Sequence, residues 1–493
     1  MNKESILEFL KINKSKILMI FTLYCICTIS IGIVNYPYYD DVNRRIYGVT
    51  WFWKDFCRLL SEIAAYIIQG STHLTDMGLT AFFLSALILT VSSVLLLFIL
   101  IYQNNKKVTW ISAIGSVFVG INPWFLECLS YHFDSPFMCL SVLVSIIPFL
   151  FYRNKKLFFV ISLIGCFLMC NSYQASSGIY LIMLLTMIYL DLLNGIKEKK
   201  ITDKIVVAFL AYCSSMILYA FEMRLNPEIF QRGDYTVLES LYKMPVSIIR
   251  NLTDYFTSYL MLSSKIWIFY ATLIIVIFMI NIKYTSLLSK KKTFCLNLLY
   301  IVFGCIFSYG VYTFFKISLA TRDHPRYTYG LSIFFGILLI LLGQNIENKK
   351  LNFIKKISII MAVYYSISFT FVYANVLDNQ KDSFENYSVM LATDLNKYIT
   401  LTNQTIYMNE VCPDSLVYKN SAINYPILNK LVPSNTNTYW LNDLWFNTIT
   451  NMDVEIESSD FNSIDTSSLK LLESTKLWDI YILNDDIYVY WHK

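Results

Sequence analysis

The sequence predicts a polytopic α-helical membrane protein of about eleven transmembrane helices, followed by a small C-terminal α/β domain. Three observations carry this expectation. Of 493 residues 56% are hydrophobic and only 15% charged, which excludes an ordinary soluble domain. Apolar stretches approaching the roughly 20 residues that cross a hydrocarbon core recur from residue 17 to residue 375. The charge then changes sign: residues 1–375 hold 33 Lys and Arg against 19 Asp and Glu, whereas residues 376–493 hold 7 against 16. The boundary is therefore drawn at 375/376, with a transmembrane domain before it and an extracytoplasmic domain after it.

In chain order the apolar stretches lie near 17–35, 78–102, 108–122, 137–152, 157–172, 177–193, 205–222, 265–281, 294–315, 330–345 and 357–375. Lysine clusters occupy every second loop, at Lys11–Lys16, Lys106 and Lys107, Arg153–Lys156, Lys197–Lys204, Lys283–Lys292 and Lys349–Lys356. The positive-inside rule makes these loops cytoplasmic, so in a bacterial inner membrane the N-terminus is expected inside and the C-terminus in the periplasm. No small-residue cleavage site follows the first stretch, where Gly32-Ile-Val-Asn-Tyr36 stands, so that stretch reads as an anchor. The inner loops hold twenty lysines and one arginine, Arg153; the outer loops hold Arg44, Arg45, Arg58, Arg224, Arg232, Arg250, Arg322 and Arg326 with four lysines. Lysine serves topology. Arginine outside suggests anion binding, because a planar guanidinium grips phosphate or carboxylate in a fork, although interfacial snorkelling is the plainer alternative.

The first outer loop, 36–76, opens Tyr36-Pro-Tyr-Tyr-Asp-Asp-Val-Asn-Arg-Arg45. Asp40 and Asp41 supply a candidate proton acceptor, and Arg44 and Arg45 candidate phosphate ligands. In an extended segment adjacent side chains point apart, so one carboxylate is expected to enter the site. Trp51–Gln69 then reads as one interfacial amphipathic helix, with Phe52, Phe56, Leu59, Leu60, Ile63 and Ile67 on one face and Lys54, Asp55, Arg58 and Glu62 opposite. The second loop, 122–136, places Glu127, His132 and Asp134 at the mouth of two spans, where ionisable groups are costly unless paired or functional. The third is Asn171-Ser-Tyr-Gln174, in which Tyr173 and Gln174 are candidate sugar ligands or an ordinary turn. A long outer segment, Arg224–Ser264, carries a second amphipathic stretch near Leu238–Leu262 around Arg250. The last loop brings Arg322, His324 and Arg326 together as a phosphate site or a salt-bridged loop.

Eleven cysteines form no disulfide or zinc spacing, and neither a glycine-rich phosphate loop nor a His-Glu metal motif is present, so no cofactor or metal is expected. Cys57, Cys128 and Cys412 read as unpaired outer thiols. In the tail, Ser383–Ile399 is helix-like, Thr405–Asn409 a strand, and 478–483 with 487–491 a hairpin around Asn484-Asp-Asp486. Trp440, Trp445 and Trp478 read as core residues or sugar platforms, and the tail's acidity argues against a nucleic-acid partner.

Together, Tyr38-Tyr-Asp-Asp41 with Arg44, Asn122-Pro-Trp124 with Glu127, Leu129-Ser-Tyr131 through Asp134-Ser135, and Pro325-Arg-Tyr327 resemble the serotype-converting glucosyltransferases of O-antigen modification. These are similar to the wider membrane glycosyltransferases of class C. Arginine is common in that family where His132 stands. The resemblance implies a polyprenyl-phosphate sugar as donor, a cell-surface polysaccharide as acceptor, and inversion at the anomeric carbon. By the same analogy Asp40 is the base, supported by Asp41 or Glu127, with Arg44, Arg45, Arg322, His324 and Arg326 on the donor phosphate. His132, Asp134, Tyr173 and Gln174 would face acceptor or sugar. A separate flippase and a donor-synthesising enzyme would be its partners besides the bilayer. A polysaccharide polymerase or ligase, or a non-enzymatic flippase for lipid-linked sugar, are the competing classes; a flippase would need polar groups at mid-span.

Overall fold

The structure, a computed structural model, describes residues 3–226, 237–281, 289–322, 324–346, 348–399, 404–461, 464, 469–483 and 486–492. Arg232, most of the Lys283–Lys292 loop and the turn residues 484–485 lie outside the described residues. The helices are α1 (Lys3–Val34), α2 (Asp41–Tyr47), α3 (Trp51–Asp55), α4 (Leu59–Gln69), α5 (Leu79–Leu100), α6 (Trp110–Val117), α7 (Leu126–Ser130), α8 (Ser135–Ile146), α9 (Lys155–Cys170), α10 (Ser177–Leu193), α11 (Glu198–Leu225), α12 (Met244–Leu262), α13 (Lys265–Asn281), α14 (Lys290–Phe307), α15 (Gly330–Leu342) and α16 (Lys349–Leu395). The tail adds α17 (Leu416–Asn424), α18 (Leu428–Leu431), α19 (Trp440–Thr450) and strands β1 (Gln404–Met408), β2 (Val454–Ser458), β3 (Lys470–Ser474), β4 (Trp478–Leu483) and β5 (Asp486–Trp491).

Each of the eleven apolar stretches contains a helix, but length separates them. Among the described residues five helices are long and apolar enough to cross a membrane, Ser5–Val34, Leu79–Asn104, Gln174–Leu193, Glu198–Leu225 and Lys349–Leu395, or six if α12 and α13, bent by 119°, count as one. The others fall short for local reasons. α6 ends at Val117 in the turns before Asn122-Pro123, α8 tightens into a 3-10 turn at Ile147–Phe151 that contains Pro148, and α14 opens on three lysines.

The loops nevertheless sort to two ends. At one end Thr109 Oγ1 donates to Gly343 O at 2.6 Å, Arg153 Nη2 to Gln103 O at 2.5 Å, and Lys204 pairs with Asp191 at 2.7 Å. This end gathers the lysine-bearing loops. The other end gathers the segments around residues 40, 130, 174 and 325, and there Arg250 of α12 donates to Lys316 O at 2.6 Å.

Two expectations for the outer segments change. Trp51–Gln69 is not one helix, because Cys57 adopts a positive φ of 51° and breaks it into α3 and α4. Nor does the polar face of α4 look outward. Ser61 and Glu62 are buried, with Glu62 accepting from Thr50 Oγ1 at 3.1 Å and from the Tyr66 hydroxyl, while Leu59, Ile63 and Ile67 are exposed. With apolar residues exposed and polar ones turned into the protein, α4 inverts the pattern of an ordinary surface helix. The Phe52 side chain lies outside the described ones.

The boundary at 375/376 also falls inside an unbroken helix, since α16 runs for 47 residues from the lysine end into the tail. The expected Ser383–Ile399 helix is its last part as far as Leu395, where α16 ends, and Phe384, Leu391 and Leu395 of its apolar stripe are buried. The tail's five-stranded sheet has the order β2-β1-β5-β4-β3, with β1 parallel to both β2 and β5 and the β3-β4-β5 portion antiparallel. The tail meets the acid-pair loop through its helices: the Tyr38 hydroxyl donates to Leu431 O at 2.7 Å, Lys381 Nζ to Val34 O at 3.0 Å, and Trp445 stacks on Phe384 at 4.2 Å and meets Tyr36 edge-on at 5.5 Å. Trp445 and Trp478 are core residues, whereas Trp440 is exposed. All three outer thiols, Cys57, Cys128 and Cys412, are unpaired and buried.

Candidate active site

The two aspartates stand in a turn, not in an extended segment. Asp40 has helical φ and ψ of −58° and −15° ahead of α2, and Asp41 is the first residue of that helix. The side chains still part company. Asp41 is fully buried and accepts the backbone N–H of Tyr38 at 3.1 Å and of His132 at 3.0 Å. Burial pushes its pKa up to about 6, against the lowering effect of His132 and Arg45. Asp40 is half-buried, and among the described residues its carboxylate has no hydrogen-bond or ion-pair partner. Burial raises its pKa, opposed by Arg44, reinforced by Asp134, and opposed again by Arg326 and Arg58. Charges from three loops at this end of the helices thus converge on one unengaged carboxyl group.

The residue before it is held in an unusual conformation. Tyr39 has a positive φ of 44°, costly for a bulky side chain. Its ring lies 4.9 Å from that of Tyr38, 6.4 Å from Tyr131 and 5.5 Å from His324, so the strain serves to present Tyr39 and Asp40 to the second and fourth loops. Gly48 closes α2 at φ 61°, and a Cβ there would strike the His73 ring at 2.3 Å. Only glycine suits that position.

Arg44 and Arg45 are engaged by carboxylates. Arg44, 1% exposed, pairs with Asp134 at 2.8 Å and covers the Trp53 ring at 4.4 Å, while Trp53 Nε1 donates to the other oxygen of Asp134. Arg45 pairs with Asp76 at 2.7 Å and donates to Asn35 Oδ1 at 2.7 Å. His132 Nδ1 lies 3.4 Å from the same Asp76. Although burial alone would raise the Asp76 pKa, the hydrogen bond and charge of His132, with Arg45, hold it below the usual carboxylate range. Asp76 carried no motif of its own in the sequence.

Glu127 joins the second loop to the fourth. It is fully buried, lies 2.8 Å from His324 Nδ1, accepts the Arg326 N–H at 2.8 Å and has Arg326 Nε at 3.4 Å. Arg326 in turn bonds the Tyr131 hydroxyl and lies over its ring at 5.0 Å. Arg322 is half-buried at the end of a 3-10 turn, Leu319–Thr321. Tyr173 is buried with its hydroxyl meeting no partner among the described residues, and Gln174 Nε2 donates to Phe56 O at 3.1 Å and to the Tyr219 hydroxyl at 2.5 Å.

One residue that the sequence placed on a helix face and among the outer arginines, but in no site, belongs here. Arg58 follows the Cys57 break and lies 4.8 Å from the Tyr173 ring centre. Its Nε is buried without a partner, and its guanidinium makes no hydrogen bond or ion pair among the described residues. Its membership of the outer arginine set was the available signal. Among the described residues no group of three or more His, Cys, Asp and Glu is disposed to hold a metal ion.

The site therefore offers an unengaged carboxylate, a guanidinium without a counter-ion and a second guanidinium, that of Arg326, whose charge acts on the same carboxyl, at the end of a bundle of apolar helices. A hydroxyl nucleophile could lose its proton to the first while the cations hold a departing anion. A family model described as glucosyl transferase GtrII matches residues 29–337, which include every loop named above. A protein of Salmonella phage P22, described as an uncharacterized 55.3 kDa protein in the gtrB 5' region, is similar at 28% identity over 239 residues, 45% of this chain and 48% of the relative. The chain thus spans about half the length of that curated relative.

Proposed function

The chain belongs to the GtrII glucosyltransferase family, and from that premise we propose that it transfers a hexose, glucose by family, from polyprenyl phosphate to a cell-surface polysaccharide of the O-antigen type, with Asp40 as general base. The observation that carries this reading is the Asp40 carboxylate, left without a partner where Arg44, Arg58 and Arg326 all act on it. An acceptor hydroxyl gives its proton to Asp40 as its oxygen attacks the anomeric carbon. The bond from that carbon to the phosphate oxygen breaks, and the lipid phosphate leaves with the electron pair. One displacement inverts the anomeric centre. The base is typically worth 10²- to 10⁴-fold, and guanidinium groups preorganised for the leaving phosphate add to it.

Geometry divides the arginines by task. Arg44 and Arg45 are held by Asp134 and Asp76, so they shape the loop, Arg44 acting on Asp40 and Arg45 on Asp41. Arg58 and Arg326, with Arg322 and His324 nearby in the fourth loop, are the donor-phosphate ligands. Asp41 and Glu127 position the loops around Asp40, with His132 bonded through its backbone to the former. Tyr173, beside Arg58, and Gln174 line the sugar side. A bacterial inner-membrane location, with the lysine end cytoplasmic and up to eleven helical crossings, agrees with the two-ended sorting of the loops.

Purified full-length protein given a synthetic polyprenyl-phosphate glucose should release polyprenyl phosphate only when a polysaccharide acceptor is present. Consumption of a diphosphate-linked glycan instead would establish a polymerase or ligase, and lipid translocation without release a flippase. Arg58→Gln is expected to lower kcat/KM for the donor about 10- to 100-fold, the value of a charge-assisted phosphate contact. Because the Arg58 cation favours the ionised form of Asp40, its loss should raise the Asp40 pKa and move the acid limb of the rate profile to higher pH. An unchanged donor KM and limb would remove Arg58 from the site.

A further inference from the structure

A large cavity lies far from the acid pair. It has a volume of about 1030 Å³ and is built from the start of α1, the turn after α5 and the start of α9. From Glu8, which lines it, to Val34 at the far end of α1 is 26 helical residues, or roughly 40 Å at 1.5 Å per residue. The cavity thus belongs to the lysine end.

Its chemistry is two-sided. Ile12, Phe98, Leu150, Phe151 and Leu157 supply an apolar wall, whereas Lys16, Lys106, Lys107 and Arg153 supply four cations against the single carboxylate of Glu8. These cations come from three segments distant in sequence. Among the described residues none of the four forms an ion pair, although neighbours at the same end do so readily: Lys155 with Asp203, and Lys204 with Asp191. Two are fixed in place, Lys16 by a 3.0 Å bond to the buried Asn13 and by the Trp110 ring at 5.6 Å, Arg153 by the Gln103 carbonyl. Four like charges held about one cavity repel one another unless an anion joins them.

We propose that this cavity binds the phosphate headgroup of an anionic membrane lipid, the cations holding the phosphate and the apolar wall receiving the first part of the acyl chains. Its volume matches a small-ligand site. Basic pockets between membrane helices are suited to such headgroups. The site is separate from sugar transfer and does not depend on which sugar or acceptor is used.

Binding is read by native mass spectrometry of the full chain in detergent, titrated with phosphatidylglycerol, with phosphatidylcholine of the same acyl chains, and with inorganic phosphate. Wild type should retain phosphatidylglycerol in preference to phosphatidylcholine, and inorganic phosphate should not displace it. The variant K106Q/K107Q/R153Q should bind phosphatidylglycerol roughly 100-fold more weakly, about fivefold for each cation near an anionic surface, whereas Lys155→Gln, which breaks a paired lysine at the same end, should bind as wild type. Equal binding of the two lipids, displacement by millimolar phosphate, or unchanged affinity in the triple variant would overturn the proposal. Lys106 and Lys107 are exposed, so the triple variant should keep its thermal stability; a cooperative unfolding transition at the wild-type temperature confirms that lost binding is local.

Discussion

Asp40→Asn is expected to reduce glucosyl transfer by at least 10²- to 10⁴-fold, the range a positioned base contributes, while the protein unfolds at its wild-type temperature. The second half of that expectation follows from the geometry. The Asp40 carboxylate accepts no hydrogen bond among the described residues, so an amide of the same shape removes only the charge and the basicity. Changes of that kind usually lie within about 0.5 kcal/mol. Asp41→Asn should behave oppositely. Oδ2 accepts the N–H groups of both Tyr38 and His132, and Oδ1 accepts the His132 N–H as well, so an amide there turns its NH2 toward at least one of these donors and costs about 1–3 kcal/mol of stability. Radiolabelled donor assays on both variants, beside thermal unfolding in detergent, separate the roles. If Asp41→Asn were stable and inactive while Asp40→Asn kept near-normal activity, the base would be reassigned. In wild type the rate should fall as the pH drops through the Asp40 pKa, and burial moves that limb upward from the ordinary aspartate value.

The loops that meet at Asp40 were legible in the sequence because membrane helices leave few places for charge. Glu127, Asp134, His132, Arg322 and Arg326 stand out against apolar flanks, and lysine alternation assigns them to one end without any contact being known. Which of two neighbouring aspartates stays unengaged was not legible. It depends on His132 offering its backbone N–H to Asp41 from 91 residues away, a contact that no local pattern encodes. The same limit explains Arg44, whose partner Asp134 sits on another loop, and α4, whose apolar stripe was read correctly but whose polar face is turned inward by contacts at Thr50 and Tyr66. Composition placed the domain change at 375/376, yet α16 passes through it, because a helix follows local propensity while charge balance reports on solvent. Of the fold, helix positions were legible and crossing lengths less so, since turns such as the one containing Pro148 shorten α8 within an apolar run.

Asp134→Ala should be the most destabilising single change in the outer loops. It leaves the Arg44 guanidinium, 1% exposed, without the carboxylate that lies 2.8 Å away, and removing one partner of a buried ion pair typically costs about 3–5 kcal/mol. The same change deprives Trp53 Nε1 of its acceptor. A large fall in unfolding temperature, or loss of folded protein, is therefore expected, and an unfolding temperature equal to wild type would show that the pair does not hold the loop. The double variant Arg44→Met with Asp134→Leu tests the cause. Replacing both charges by apolar groups of similar size is often neutral or stabilising, so the double variant should recover much of what Asp134→Ala loses, a coupling that separate effects would not give. Its activity then reports on Asp40. Arg44 lowers the Asp40 pKa more than Asp134 raises it, so losing both should move the acid limb to higher pH with transfer retained. If the recovered double variant instead lost donor affinity with the limb unmoved, Arg44 would hold the donor phosphate directly, and the ion pair with Asp134 would be the resting arrangement that substrate displaces.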